Sequence, residues 1–150
     1  MKFLKKMLEM HPDKKTWHLY GRRLEGYPSN CNFGPLYDKW DGLRKYRYSL
    51  AFHNSNQNGF YDEKFVDPVM ALSMPILWGC PNLEKIMPKN SFIRVDLGRE
   101  DTESIVKEVI EISKSDFREA NLDELIEARR LLLEEYSIMP MLERDLNGLL

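Results

Sequence analysis

Residues 53–68, HNSNQNGFYDEKFVDP, hold side chains whose types and spacing suit an anionic ligand. An apolar, β-rich run precedes them, and a helical pattern begins at Glu63–Lys64. The start of a helix offers unpaired N–H groups and the positive end of a dipole, so an anion is favoured there. Lys64, in the first turn, adds a full positive charge. Glu63 beside it can accept hydrogen bonds from sugar or ribose hydroxyls. Asn54, Ser55, Asn56, Gln57 and Asn58 supply neutral donors and acceptors, and Gly59 allows close backbone approach. Together these suit a nucleotide diphosphate carrying a sugar. Neither GxxxxGK followed by Ser or Thr nor GxGxxG occurs, so this is not a familiar phosphate fingerprint. The competing reading is a solvated connection with a surface Glu–Lys pair worth little energy.

The elements that must position this loop follow from hydrophobic rhythm. Phe3, Leu4, Met7 and Leu8 mark a short amphipathic helix over 2–9. Residues 16–21, TWHLYG, read as a strand ending at Gly21. Gly26, Pro28, Gly34 and Pro35 make 22–37 a long irregular loop. A short helix capped by Asp38 is expected over 38–46, then a strand over 46–52 buried on both faces. Asp62 is a good N-cap for a helix over 63–73, in which Pro68 implies a kink or a late start. MPILWG (74–79) and SFIRVD (91–96) read as third and fourth strands. Helices are expected over 101–115 and 120–136, with a last short one in 138–150. The alternation of strand and helix to about residue 116 argues a doubly wound α/β domain, a Rossmann-like parallel sheet with helices on both faces. Ligands bind such sheets beyond the carboxyl ends of the strands, where the loops 22–37, 53–62 and 79–84 should gather.

Composition narrows the function classes. The chain has 150 residues, enough for one domain with a real core, 1–116 forming the α/β part and 117–150 C-terminal helices. A net charge of −2 argues against a nucleic-acid partner. No uninterrupted apolar stretch is long enough to span a membrane, and the opening MKFLKKMLEM lacks a signal-peptide core. Cys31 and Cys80 form no disulfide framework, so a reducing, cytoplasmic setting is expected.

Residues 46–96 resemble the donor-binding domain of the α-1,3-fucosyltransferases (family 10 glycosyltransferases). The similarity rests on ordered matches: Asn54-Ser55, Phe60, Glu63-Lys64, Pro75-Ile76, Trp78-Gly79, Pro81-Asn82 and Ser91-Phe92-Ile93. Upstream, LYGRR and DKWDGLRKYRYSL are similar too, so the resemblance covers about 17–96. It implies one half of a GT-B architecture and an inverting transfer of fucose from GDP-fucose to a glycan hydroxyl. It implies no cofactor and no metal, because basic side chains and helix N-termini neutralise the leaving diphosphate. Carried over residue by residue, Lys64 contacts the phosphates and Glu63 binds ribose or sugar. Asn54 and Phe60 shape the pocket, and Arg22 or Arg23 pairs with the diphosphate.

Three positions depart from the family pattern. His53 stands where the family has Glu, Asp62 where it has Thr, and Phe60 where it has Tyr. His53 exchanges an acceptor for a group that can become cationic, and Asp62 places a negative charge near a diphosphate. The resemblance implies a general base on an acceptor domain, which is expected to be absent here, so no catalytic residue is assigned. The expectation is half an enzyme: a fragment, a truncated reading frame or a stand-alone module. Its expected partners are a GDP-sugar, a glycan acceptor, and a second copy or a separate acceptor domain. The alternative is a nucleotide- or sugar-binding module without turnover, or a remnant that binds nothing.

Other conspicuous residues have plain explanations. His11, His18 and His53 lack the spacing of a metal site. Trp17, Trp40 and Trp78 are expected in or beside the core. Cys80 has no partner base and reads as a small buried thiol. Asp38 and Asp41 are a cap and a solvated side chain rather than a catalytic pair.

Overall fold

The computed structural model describes residues 2–10, 17–22, 26–27, 31–136 and 138–147. Helix α1 (Lys2–Met10) opens the chain, followed after an irregular stretch by a 3-10 turn at Lys39–Gly42. Then come β1 (Tyr48–Phe52), α2 (Glu63–Met70), β2 (Met74–Trp78) and β3 (Ile93–Arg94). Four helices close the chain: α3 (Thr102–Lys114), α4 (Phe117–Ala120), α5 (Leu122–Glu134) and α6 (Ile138–Asn147).

The sheet is parallel, in the order β1-β2-β3. Tyr48 pairs with Met74 and Phe52 with Trp78, so β1 and β2 run in register along their whole length. Successive side chains face opposite sides of a strand, and the core is divided accordingly. Ala51 and Leu77 pack with Phe65 and Val69 of α2 and with Leu125, Ala128 and Leu132 of α5. Leu50 and Ile76 face the other way, toward Met7 of α1 and Val106 and Val109 of α3. Helices therefore cover both faces, as the α/β pattern requires. The C-terminal α5 belongs to the same apolar cluster as the sheet.

Several expectations change. The strand expected at 16–21 is not one: the described residues 17–22 make only an isolated bridge, Leu19 with Asn32. The strand expected at 46–52 is buried only at Ala51, because β1 forms an edge and its outer side lacks a neighbouring strand, whereas β2 is buried at Met74 through Leu77. The helix expected over 120–136 is α5, Leu122–Glu134; the single turn α4 precedes it, and between them the Asn121 side-chain amide donates to the Phe117 carbonyl at 2.8 Å. Trp40 is 39% exposed rather than packed in the core. Pro68 sits inside α2, yet the helix starts at Glu63, directly after its Asp62 cap, and ends at Met70. Asp38 caps a 3-10 turn rather than an α-helix, accepting from the Trp40 N–H at 2.9 Å.

Candidate functional site

The loop 53–62 leaves the carboxyl end of β1 and enters α2 at Asp62. Asp62 is extended, and its Oδ1 accepts the Lys64 N–H at 2.9 Å, which is an N-cap bond. The Asp62 carbonyl accepts from the N–H groups of Phe65 and Val66 at 3.0 and 3.1 Å. The helix start is thus largely satisfied from within, and an incoming anion meets a carboxylate already seated there.

That carboxylate has two further partners. The Lys64 Nζ donates to Asp62 Oδ2 at 2.9 Å, and Asp62 Oδ1 lies 2.8 Å from His53 Nδ1. Burial alone would push the Asp62 pKa up, but the Lys64 bonds and the nearby His53 outweigh it, so the carboxyl titrates below its ordinary value. Lys64 is shifted up, chiefly by its bond to Asp62. Glu63 is exposed and sits 3.4 Å from the Lys64 amine. With neutral His53 the group carries two negative charges and one positive.

His53 is enclosed, with its side chain fully covered. Its N–H donates to the Trp78 carbonyl at 3.1 Å, which extends the ladder of β1 by one bond. Because Nδ1 faces an ionised carboxylate, it carries the proton, and Nε2 is left as an acceptor. Nε2 is buried and has no partner. The Phe60 ring stands edge-on to the imidazole at 6.0 Å between centroids. Gly79, which follows β2, presses against the other side: a Cβ there would lie 2.9 Å from His53 Cβ and from the Ser55 carbonyl oxygen.

The loop after β2 joins the loop after β1. The Gly59 N–H donates to Asn82 Oδ1 at 2.7 Å. Gly79 and Cys80 both have positive φ, and Arg94 of β3 holds that turn by donating to their carbonyls at 2.7 and 3.0 Å. Burial raises the Cys80 thiol, so it is a buried thiol rather than a nucleophile.

The structure thus brings His53, Phe60, Glu63 and Lys64 together. Asn54 is exposed on the same loop. Arg22 borders a different cavity, whose described walls include Tyr46 to Leu50 and none of residues 53–64. Arg23 and His11 lie outside the described residues. Asp62, read from the sequence as a cap, is the hub; its Oδ1 alone meets both an imidazole and a backbone N–H. The chain order His53–Asp62–Lys64, one acid between two bases, was the available signal. Among the described residues no group of three His, Cys, Asp or Glu side chains could hold a metal ion. No described helix is long and apolar enough to cross a membrane.

Similarity to known proteins falls on these same elements. Seventy-one residues are 38% identical to a fucosyltransferase-like protein of Arabidopsis thaliana, covering 47% of this chain and 14% of that one. Fifty-eight residues are 33% identical to the alpha-(1,3)-fucosyltransferase FucT of Helicobacter pylori, covering 39% of this chain and 12% of that protein. The fold matches a crystal structure of an alpha1,3-fucosyltransferase with GDP-fucose at a TM-score of 0.55 and 23% identity, over 83% of this chain. The chain spans 33% of that structure's length, so it corresponds to one part of a larger enzyme. Residues 19–119, from the Leu19 bridge through β1, α2, β2, β3 and α3 to α4, match the C-terminal part of glycosyltransferase family 10 (fucosyltransferase), and the chain belongs to that family.

Proposed function

We propose that this chain is the donor-binding domain of an inverting glycosyltransferase, and that its ligand is GDP-fucose. The observation that carries the reading is the placement of Lys64 and Glu63 in the first turn of α2, beyond the carboxyl end of β1, within the stretch that matches the family. In this reading Lys64 leaves Asp62 for the diphosphate, and Glu63 accepts from ribose or sugar hydroxyls. Asn54, Phe60 and His53 shape the pocket. Arg22 makes no hydrogen bond or ion pair with residues 53–64, and Lys64 is the one Lys or Arg within that stretch.

The transfer breaks the bond between the anomeric carbon of fucose and the diphosphate oxygen. A glycan hydroxyl oxygen forms the new bond from the opposite face, and its proton goes to a general base of the acceptor half. GDP departs with the extra negative charge, which Lys64, once released from Asp62, stabilises more strongly than it stabilises the intact donor. The domain alone supplies donor binding; turnover requires the acceptor half.

Calorimetric titration with GDP-fucose and GDP tests this. Saturable binding that Lys64→Ala weakens roughly tenfold or more is expected, in line with loss of a charge-assisted contact. A folded chain that binds neither ligand overturns the reading.

A further inference from the structure

We propose, resting on the donor-binding reading above, that His53 is a positioning residue for Lys64: it takes up a proton at Nε2 when the diphosphate draws Lys64 away, and so replaces the lysine as the positive partner of Asp62.

The charges involved are few and close together. Asp62 Oδ2 accepts from Lys64 Nζ at 2.9 Å. Asp62 Oδ1 accepts from the Lys64 N–H at 2.9 Å and meets His53 Nδ1 at 2.8 Å. Glu63 lies 3.4 Å from the same amine. Within this group, while His53 is neutral, Lys64 balances both carboxylates. A diphosphate brings further negative charge and competes for the amine. Once the amine turns to the ligand, Asp62 keeps its two N–H donors but loses its counter-ion, and a new anion stands beside it. The Asp62 side chain is only 17% exposed, so water replaces the lost charge poorly.

Two groups could relieve this by taking a proton. Asp62 is the poorer, because the bonds from the Lys64 N–H and from His53 Nδ1 favour its ionised form. His53 Nε2 is basic, buried and without a hydrogen-bond partner. The His53 side chain is wholly covered, so its cation needs an adjacent anion and an acceptor for the new N–H. Asp62 is the anion. The acceptor we assign is the Ser55 carbonyl, which accepts no backbone hydrogen bond among the described residues. It and His53 Cδ2, the ring carbon bonded to Nε2, lie 2.9 and 3.0 Å from the point where Gly79 has no Cβ.

The other titratable groups packed around the ring weigh little. Behind Gly79, Arg94 is paired with Glu84, and burial keeps the Cys80 thiol neutral. Tyr61 turns its ring to Phe65. Asp62, Lys64 and the ligand therefore decide the charge of His53.

Calorimetric titration with GDP-fucose in buffers of different ionisation enthalpy counts the protons. GDP-fucose is the probe because its diphosphate is esterified at both ends, whereas a terminal phosphate titrates on its own account at a pKa of about 6. Uptake of up to about one proton near neutral pH is expected, with affinity rising roughly three- to tenfold as pH falls from about 8 to about 6. The imidazole nitrogen resonances of His53, followed by NMR, should change from the neutral to the protonated form as the ligand saturates. His53→Asn keeps an amide that can donate to Asp62 but holds no titrating proton; it should bind without uptake and with a flat pH profile. A purely structural histidine would leave the proton count unchanged. Binding of GDP-fucose without uptake, a ring that stays neutral at saturation, or uptake that persists in His53→Asn overturns the proposal and leaves the donor reading standing. A folded chain that binds no GDP-fucose at any pH overturns the donor reading and this proposal with it.

Discussion

His53 Nδ1 and Asp62 Oδ1, nine residues apart, meet at 2.8 Å across the mouth of the loop that joins β1 to α2. The contact ties the end of a strand to the cap of a helix, and Lys64 completes it from the other side of the carboxylate. An acid held by a lysine and a histidine masks the lysine's positive charge, which an anion can reclaim provided the acid gives way.

Asp62→Asn separates capping from charge. Asn caps as well as Asp, so the thermal midpoint should change little. Removing the negative charge frees Lys64, and GDP affinity should rise severalfold by calorimetry. Asp62→Ala loses the cap as well and should cost about 1 kcal/mol in urea unfolding. A fall in GDP affinity on Asp62→Asn would mean that the carboxylate supports the ligand rather than competing with it.

Gly79→Ala and Gly59→Ala compare strain with collision. Both glycines have positive φ, +108° and +72°, so either alanine is strained. Only at Gly79 would the new Cβ also meet His53 and Ser55 at 2.9 Å; at Gly59 nothing lies within 4 Å. Gly59→Ala should cost about 1–2 kcal/mol. Gly79→Ala should cost clearly more and shift the His53 ring resonances. Equal losses in denaturant melts would contradict the close approach.

The Arg47–Glu119 pair fastens the start of β1 to α4. The hydrogen bond from Arg47 is the largest influence on Glu119 and holds its carboxyl at about 2. A folded pKa below the unfolded one contributes stability above the unfolded value, about 4.3 for Glu. That contribution fades as pH falls toward 2. Both side chains are more than 40% exposed, so water screens the pair and its worth is about 1 kcal/mol or less. The stability gap between the native chain and Glu119→Gln should be full at pH 6 and nearly gone at pH 2.

Leu125→Ala tests whether α5 is integral to the domain. Leu125 is fully buried in the cluster that holds Phe65 and Leu77. Loss of its side chain should cost about 2–5 kcal/mol. A loss under 1 kcal/mol would mean that α5 packs only loosely on α2.

The sequence was most legible where local chemistry and burial agree. β2 is apolar, flanked by turns and central in the sheet, and its bounds were read to within a residue. Asp62 is legible because capping is a short-range effect, and it accepts the Lys64 N–H expected of a cap. Residues 16–21 misled because Trp17, Leu19 and Tyr20 have strand propensity, yet a strand needs a neighbour, and that depends on the tertiary surroundings. The same absence explains β1, whose apolar residues signal a central strand while its position is an edge. In the site, Glu63 and Lys64 were legible as charges, but the clasp of Asp62 by His53 was not. It depends on two positions that meet only once β1 and α2 are docked.

β3 is only two residues long, and its ladder contributes little to the sheet. Its second residue, Arg94, reaches back over the neighbouring strand to hold the carbonyls of Gly79 and Cys80, and is itself gripped by Glu84. The shortest strand thereby works as a guy line. It anchors the reverse bend that packs against His53, so loss of Arg94 at the sheet's far margin would loosen the backing of the candidate loop.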